Sequence, residues 1–294
     1  MVELDARLQH ALLRPLLAYC DIEDFRHNMA ESFQGSHSLQ QSTFLLGAQS
    51  ATPGMAFLSG YQSAVRCLDP KCPNDEFAAF CVSEKGVKKP WDMQTKLQQS
   101  GAKYFLNGRK GFVMLLPNVI DRLYVVAKRE DDSLSCIQLS ANAVGLSVAE
   151  SLSAPFIQDI PHAGIVFDDV VISASDILTD EAHQQANKPF RYWEDVHVAI
   201  AMAGWMLRQL VATSDFEADK SSSLKLICQL IANFEQHPNY YSLSGLDILD
   251  EFHHHLDVLS KNLPETALKI WHTDRLLLQM GYKIRQQIRL KLTQ

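Results

Sequence analysis

Hydrophobic periodicity changes twice along this chain, and that double change most constrains its fold. Up to residue 74 apolar residues recur at helical spacing, in LDARLQHALLRPLLAYC (4–20) and in GMAFLSGYQSAVRCL (54–68), which Asp69-Pro70 ends. From 75 to 180 the period shortens. FAAFCVS, KYFLNG, KGFVML, RLYVVAKRE, LSCIQL, GLSVAE and AGIVFDDVVI are short β-branched or aromatic runs separated by turn residues, which predicts an antiparallel barrel or sandwich. From 181 to 294 helix returns. Pro189 suits a first helical turn. FRYWEDVHVAIAMAGWMLRQLVATS (190–214) is apolar nearly all round and predicts a buried central helix. DFEADKSSS is a polar break, LKLICQLIANFEQ a helix ending before Pro238, and 244–261 and 264–292 complete a bundle. The expected class is α+β in three domains: N-terminal helices (1–74), a middle β domain (75–180) and a C-terminal helical bundle (181–294).

With 294 residues, 47% of them hydrophobic, the chain can build a substantial core. A net charge of −7 without a basic stripe argues against nucleic acid or an anionic membrane as partner. The longest apolar stretch, VHVAIAMAGWML, falls short of a membrane span. No charged segment followed by an apolar core opens the sequence, so no signal peptide is expected. Six cysteines lie scattered without CxxC pairs, as reduced thiols of a cytoplasmic protein would.

One stretch of the β region carries a specific expectation. In AKYFLNGRKGFVM (102–114), Asn107-Gly108 supplies the two positive-φ positions of a type I′ turn, which predicts a tight hairpin. An apolar tip follows: Phe112, Val113, Met114, Leu115 and Leu116. It packs on neighbouring helices or carries a flat ligand. Elsewhere, DEFHHHLD holds His253, His254 and His255. Adjacent helical residues point about 100° apart, so the three cannot face one metal, and the segment reads as a solvated helix face. No metal site is expected. His197, alone on an apolar helix, reads as a satisfied core residue. KIRQQIRLKL is a basic helix end that suits the helix dipole.

Three stretches, in this order, carry a resemblance to a known family. FAAFCVSEKG is similar to a strand ending in Thr-Glu-Pro. SGAKYFLNGRKGFV is similar to the pattern Gly-Asp-x-Tyr-x-Leu-Asn-Gly-x-Lys-x-Trp-Ile. HAGIVFDDVVISASDIL is similar to Phe-Asp-Asp-Val-x-Val-Pro followed by a leucine pair. Together they resemble the middle domain of the acyl-CoA dehydrogenase family. The resemblance covers residues 60 to 212 and fades at both ends, where this chain is shorter than typical members. It implies bound FAD, with Phe112, Val113 and Met114 along the flavin. Ser83, Glu84, Gly86, Lys89 and Trp91 would lie around the ring or diphosphate. The family's small Gly-Ser pair is replaced here by Lys88 and Lys89, which either pair with a diphosphate or form a solvated loop.

The resemblance also implies a reaction. A base removes a proton from the carbon next to an acyl thioester, and a hydride passes from the next carbon to flavin. Most members carry the base in a C-terminal Glu-Gly-Thr loop after an Arg-Asp-Ala helix. Here Asp274 matches that Asp, Thr273 replaces the arginine, and the helix is expected to run on through Tyr282 and Lys283 where the base would lie. A minority, similar to isovaleryl-CoA dehydrogenase, place a Glu ten residues before a Gly on the first bundle helix. Glu194 and Gly204 stand at that interval, which makes Glu194 the candidate base. An acid in the first turns of a helix is also favoured by the helix N-terminus alone. The Arg-x-x-Phe-Gly pattern that reaches a neighbouring subunit's FAD is missing, and LKLICQLIANFEQ stands in its place. The implied partners are an acyl thioester of coenzyme A or of a carrier protein and a second copy of the chain in a homo-oligomer. The alternatives are a non-catalytic binding or assembly protein on the same fold and, third, a flavin monooxygenase.

Overall fold

The computed structural model describes residues 22–35, 38–114, 119–211, 213 and 216–294, without the side chain of Glu150. The helix expected over 4–20, and Leu115 and Leu116 of the apolar tip, lie outside the described residues. The chain divides into two compact units. Among the described residues, one comprises the chain from Ile22 to Cys67, Pro155–Asp159 and the chain from Arg191 to Gln294; the other comprises the chain from Leu68 to Ala154 and from Ile160 to Phe190.

The first unit is helical. Helices α1 (Ile22–Gln34), α2 (Leu39–Gln49) and α3 (Pro53–Leu68) open it. Helix α2 starts where Ser38 and Gln41 close a capping box: the Gln41 amide donates to Ser38 Oγ at 3.3 Å and the Ser38 amide to Gln41 Oε1 at 3.0 Å. Helix α4 (Lys188–Leu210) is buried on all sides from Val196 to Leu207, as its sequence predicts. It lies close against α2 and α3. A Cβ added to Gly204 would stand 2.5 Å from the Phe44 carbonyl oxygen, and one on Gly60 the same 2.5 Å from Val198 Cα.

Helices α5 (Phe216–Gln236) and α6 (Leu243–Leu259) follow. The polar break expected over 215–223 is instead largely the start of α5. Its Glu217 and Asp219 suit the electropositive end of a helix, so polarity here marks a helix start rather than a loop. The segment 264–292 is not one helix but three: α7 (Glu265–Asp274), α8 (Leu276–Met280) and α9 (Tyr282–Leu292), interrupted at Arg275 and Gly281.

The second unit is a sheet of eight strands: β1 (Phe77–Cys81), β2 (Lys96–Ser100), β3 (Lys103–Met114), β4 (Ile120–Lys128), β5 (Leu134–Ser140), β6 (Leu146–Leu152), β7 (His162–Ile172) and β8 (Ile177–Thr179). Their order is β6-β7-β3-β2-β4-β5-β8, with β1 beside β4. Most pairs are antiparallel, as expected. Two are parallel, β1 with β4 and the single pair Lys96–Lys128 joining β2 to β4, so the sheet is mixed.

The turn expected at Asn107-Gly108 is absent. The β2–β3 hairpin turns at Gly101-Ala102, where Gly101 at φ 61° supplies the positive first position of a II′-type loop. Strand β3 runs straight through Asn107. That side chain instead bonds across to β7: Asn107 Nδ2 donates to Asp169 Oδ1 and the Asp169 amide to Asn107 Oδ1, both at 2.8 Å. The local preference of Asn-Gly for turning loses to two flanking strands that together satisfy β3 along its length.

The β3–β7 register slips and recovers. Leu106 pairs with Val170 but Gly108 with Phe167, so β7 carries an extra residue there. Lys110 pairs with Ile165 but Val113 with Ala163, so β3 carries the next one. The positive-φ residues Asp169 (48°) and Phe112 (51°) mark the two bulges. Strand β6 also carries an extra residue, between Val148 and Ser151, at the same place on β7.

Candidate active site

Glu194 and Asp195 lie early in α4 and face α6 and the break before α9. They line a cavity of about 140 Å³ together with Arg191, His253, Gly281 and Arg285. Burial pushes the Glu194 carboxyl up to about 7; Arg191 opposes that shift and the neighbouring Asp195 carboxylate adds to it. Asp195 is held on two sides. The Tyr241 hydroxyl donates to it, and Arg285 Nη1 lies 3.4 Å from the same oxygen. The Arg285 side chain is 2% exposed. Its Nη2 also bonds to His253 Nδ1 at 2.9 Å and to the Leu278 carbonyl at 3.3 Å.

The break at Gly281 belongs to this arrangement. A Cβ there would stand 2.5 Å from Arg285 Nη1 and 3.1 Å from Asp195 Oδ1. Tyr282 and Lys283, where the resemblance assigns the usual catalytic loop, follow directly. The chain was expected to run there as unbroken helix; instead it is interrupted beside Glu194.

The three histidines of α6 part company. His253 bonds to Arg285, His255 Nε2 lies 2.8 Å from Ser223 Oγ, and His254 is exposed. Only His254 matches the expected solvated face. Position 253 lies four residues after the buried Leu249 and three before the buried Leu256, which puts it beside the apolar stripe. That spacing was the available signal. Arg285, read as part of a basic helix end, carried no comparable sign of burial.

The residues expected to hold FAD lie in the second unit. The loop after β1 is tied to β3: the Gly111 amide donates to the Ser83 carbonyl at 2.8 Å, and Lys110 Nζ to the Val82 carbonyl at 3.3 Å. Glu84 is fully engaged. It forms a buried ion pair with Lys110 at 2.7 Å and accepts from the Gln94 and Thr95 amides at 2.6 and 3.1 Å. Burial raises its pKa, but the Lys110 ammonium and these hydrogen bonds win and leave it below the usual range. Gly86, at φ 81°, has open space where a Cβ would be. Lys89 precedes a short 3₁₀ turn, Pro90–Asp92, whose Trp91 is 56% exposed with its ring edge-on to His183 at 6.1 Å. Phe112 is 60% exposed on its bulge, whereas Val113 and Met114 are buried. Val113 and Met114 lie beyond the bulge in regular pairing with Ala163 and His162, so they occupy opposite faces of the sheet, and both are buried.

Among the described residues no group of three or more His, Cys, Asp or Glu is placed to hold a metal ion, and no helix is long and apolar enough to cross a membrane. Cys67, Cys81 and Cys136 are free thiols.

Helices, a mixed β-sheet and a helical bundle in this order form the acyl-CoA dehydrogenase fold. Solved structures establish this. The chain is similar to the prolyl acyl carrier protein oxidase AnaB, with a TM-score of 0.74 at 14% identity, covering 99% of this chain and 98% of that one. It is similar to butyryl-CoA dehydrogenase from Megasphaera elsdenii, with a TM-score of 0.70 at 13% identity over 97% and 88% of the two chains. PigA with FAD and proline gives a TM-score of 0.70 at 16% identity over 100% and 94%. No protein-family model and no curated protein matches the sequence.

Proposed function

We propose that this protein is an FAD-dependent oxidoreductase acting on an acyl thioester, with Glu194 as the base. One observation carries the proposal. Glu194, a carboxyl with a pKa near neutrality, shares a cavity with Gly281, immediately before the positions the resemblance assigns to the family's usual base loop. A base on α4 and a base on that loop would then serve the same spot.

Residues of the second unit fit a flavin in part. Phe112 and Trp91 offer exposed aromatic surface to a flat ring, and the open space at Gly86 suits close approach of a diphosphate to backbone, with Lys89 as a charge partner. Glu84 would act only indirectly, by fixing this loop through Lys110. FAD, when bound, supplies the hydride acceptor. The chain's own part is proton removal. A carboxyl whose pKa lies near 7 is both partly ionised and basic enough to take an α-proton at neutral pH. The thioester would be borne by coenzyme A or by a carrier protein; AnaB, by its name, acts on an acyl carrier protein substrate. The protein would work as a cytoplasmic homo-oligomer.

The test is the visible spectrum of purified protein after incubation with FAD and gel filtration, followed by acyl thioester. Retained flavin that bleaches with thioester, and does not bleach in Glu194→Gln, is the expected result. A protein that retains no FAD sinks the proposal. It would favour a non-catalytic binding role, to which the engagement of Glu84 by Lys110 already lends some support. Bleaching that survives Glu194→Gln would remove Glu194 from the mechanism.

A further inference from the structure

The cavity beside Glu194 limits the size of what it can hold. Arg191, Glu194 and Val198 line it from α4, at helical intervals that put them on one face. They are graded in exposure: Arg191 is exposed, Glu194 half-buried and Val198 buried. The cavity therefore deepens along the helix from Arg191 toward Val198. From Glu194 to Val198 the helix rises only about 6 Å. Phe57 of α3, also buried, lines the cavity too. It stands one turn from Gly60, where a Cβ would lie 2.5 Å from Val198 Cα, so the close packing of α3 on α4 brings Phe57 to the inner end. Leu277 and Leu278 of α8 add apolar wall.

The volume is about 140 Å³. An apolar cavity of about 150 Å³ takes up one benzene molecule, so the space here suits about six non-hydrogen atoms, the size of a pentanoyl group with its carbonyl oxygen. Direction follows from the chemistry of a thioester. Its pantetheine arm joins it to coenzyme A or to a carrier protein and must run out to solvent, past the exposed Arg191. The alkyl tail then points inward, onto Phe57 and Val198. We infer that the acyl group taken at Glu194 is short and apolar, no longer than about five carbons, with its tail seated on Phe57 and Val198. This inference rests on the function proposed above and adds the substrate class to it.

Each methylene brought from water onto these side chains should tighten binding about fourfold until the space is full. A further carbon has to displace packed side chains or turn back to solvent, and it tightens nothing. Phe57 is the largest side chain at the inner end, which makes it the residue that sets the limit.

Binding can be read apart from turnover. S-alkyl pantetheines are thioethers: they keep the arm and the tail but lack the carbonyl that makes the α-proton acidic. An ethyl-to-decyl series is titrated calorimetrically into the full-length protein after incubation with FAD. Affinity should rise through pentyl and then stop rising. In Phe57→Ala it should go on rising to octyl. Wild-type affinity that keeps rising to octyl, or that is the same at every length, overturns the inference.

The size limit and the proposed function fail separately. Affinity that stops rising at pentyl, in a protein whose flavin pentanoyl-pantetheine does not bleach, sinks the oxidoreductase reading and keeps the size limit. Bleaching that depends on Glu194 and runs as fast with octanoyl- as with pentanoyl-pantetheine keeps the function and overturns the size limit. Should Phe57→Ala fail to fold, Val198→Ala carries the same expectation, and the wild-type series decides in either case.

Discussion

Acidification should destabilise this protein through one histidine in particular. His197 is completely buried in the centre of α4. Its Nδ1–H donates to the Trp193 carbonyl at 2.7 Å, which leaves Nε2 as an acceptor for Gln40 Nε2 at 3.3 Å. Protonation would turn that acceptor into a second donor and place a charge in the core. Burial accordingly pushes the imidazole from its ordinary 6.5 down to about 4, with the bond to Trp193 opposing. The unfolded chain therefore binds a proton below pH 6.5 that the folded chain refuses until about pH 4. Stability is complete above that window and lost as pH falls through it. At about 1.4 kcal/mol per pK unit the full loss is about 3.4 kcal/mol, of which about 2 kcal/mol is gone by pH 5. Urea unfolding of wild type and His197→Gln at half-unit steps from pH 8 to 4.5 isolates this contribution. His253 and other groups tilt both curves alike. The wild-type slope should exceed the variant's by about 1 kcal/mol per pH unit between pH 4.5 and 6. Equal slopes, or a His197 ring that titrates near 6.5 by NMR, would refute the argument.

Two other substitutions probe the β unit. Lys110→Met leaves Glu84 buried without its counterion and should cost about 3–5 kcal/mol in urea unfolding, with most of that regained in Lys110→Met/Glu84→Gln. Phe112→Asn keeps a residue that tolerates positive φ, so stability should hold within about 0.5 kcal/mol. FAD affinity, measured by fluorescence titration, should fall roughly fivefold for the loss of about 1 kcal/mol of ring contact.

The helix–sheet–helix order was legible because it depends on period alone: β1, β4, β5, β6, β7 and the buried stretch of α4 lie where the short apolar runs and the long apolar run indicate, whereas the polar β2 gave no such signal and the two runs on either side of Asn107-Gly108 are one strand. What failed was local chemistry that tertiary context overrides. Asn107-Gly108 has the composition of a turn, yet pairing on both sides keeps it in a strand. The polar residues around 217–222 look like a linker, yet they are the largely exposed start of a helix whose later turns are apolar. At the candidate site, Glu194 was visible only through its interval to Gly204. Arg285 was not visible at all, because its partner Asp195 lies 90 positions away and no short pattern links them. His253 stood in plain view, but its neighbours His254 and His255 disguised a half-buried position as a polar face.

The paired bulges of β3 and β7 bear on how this chain tolerates changes of length. Between them, Gly108–Lys110 and Ile165–Phe167 form an island one residue out of frame, with both flanks in the original frame. Deleting Phe112 would remove the β3 bulge and leave Val113 and Met114 opposite Ala163 and His162; deleting Asp169 would remove the β7 bulge and leave Tyr104 to Leu106 opposite Ile172 to Val170. Deleting both would leave a regular ladder from end to end. Single-residue insertions and deletions here are therefore absorbed at each bulge by itself, and a sequence comparison that forbids gaps inside strands would misalign this pair while the sheet stayed the same.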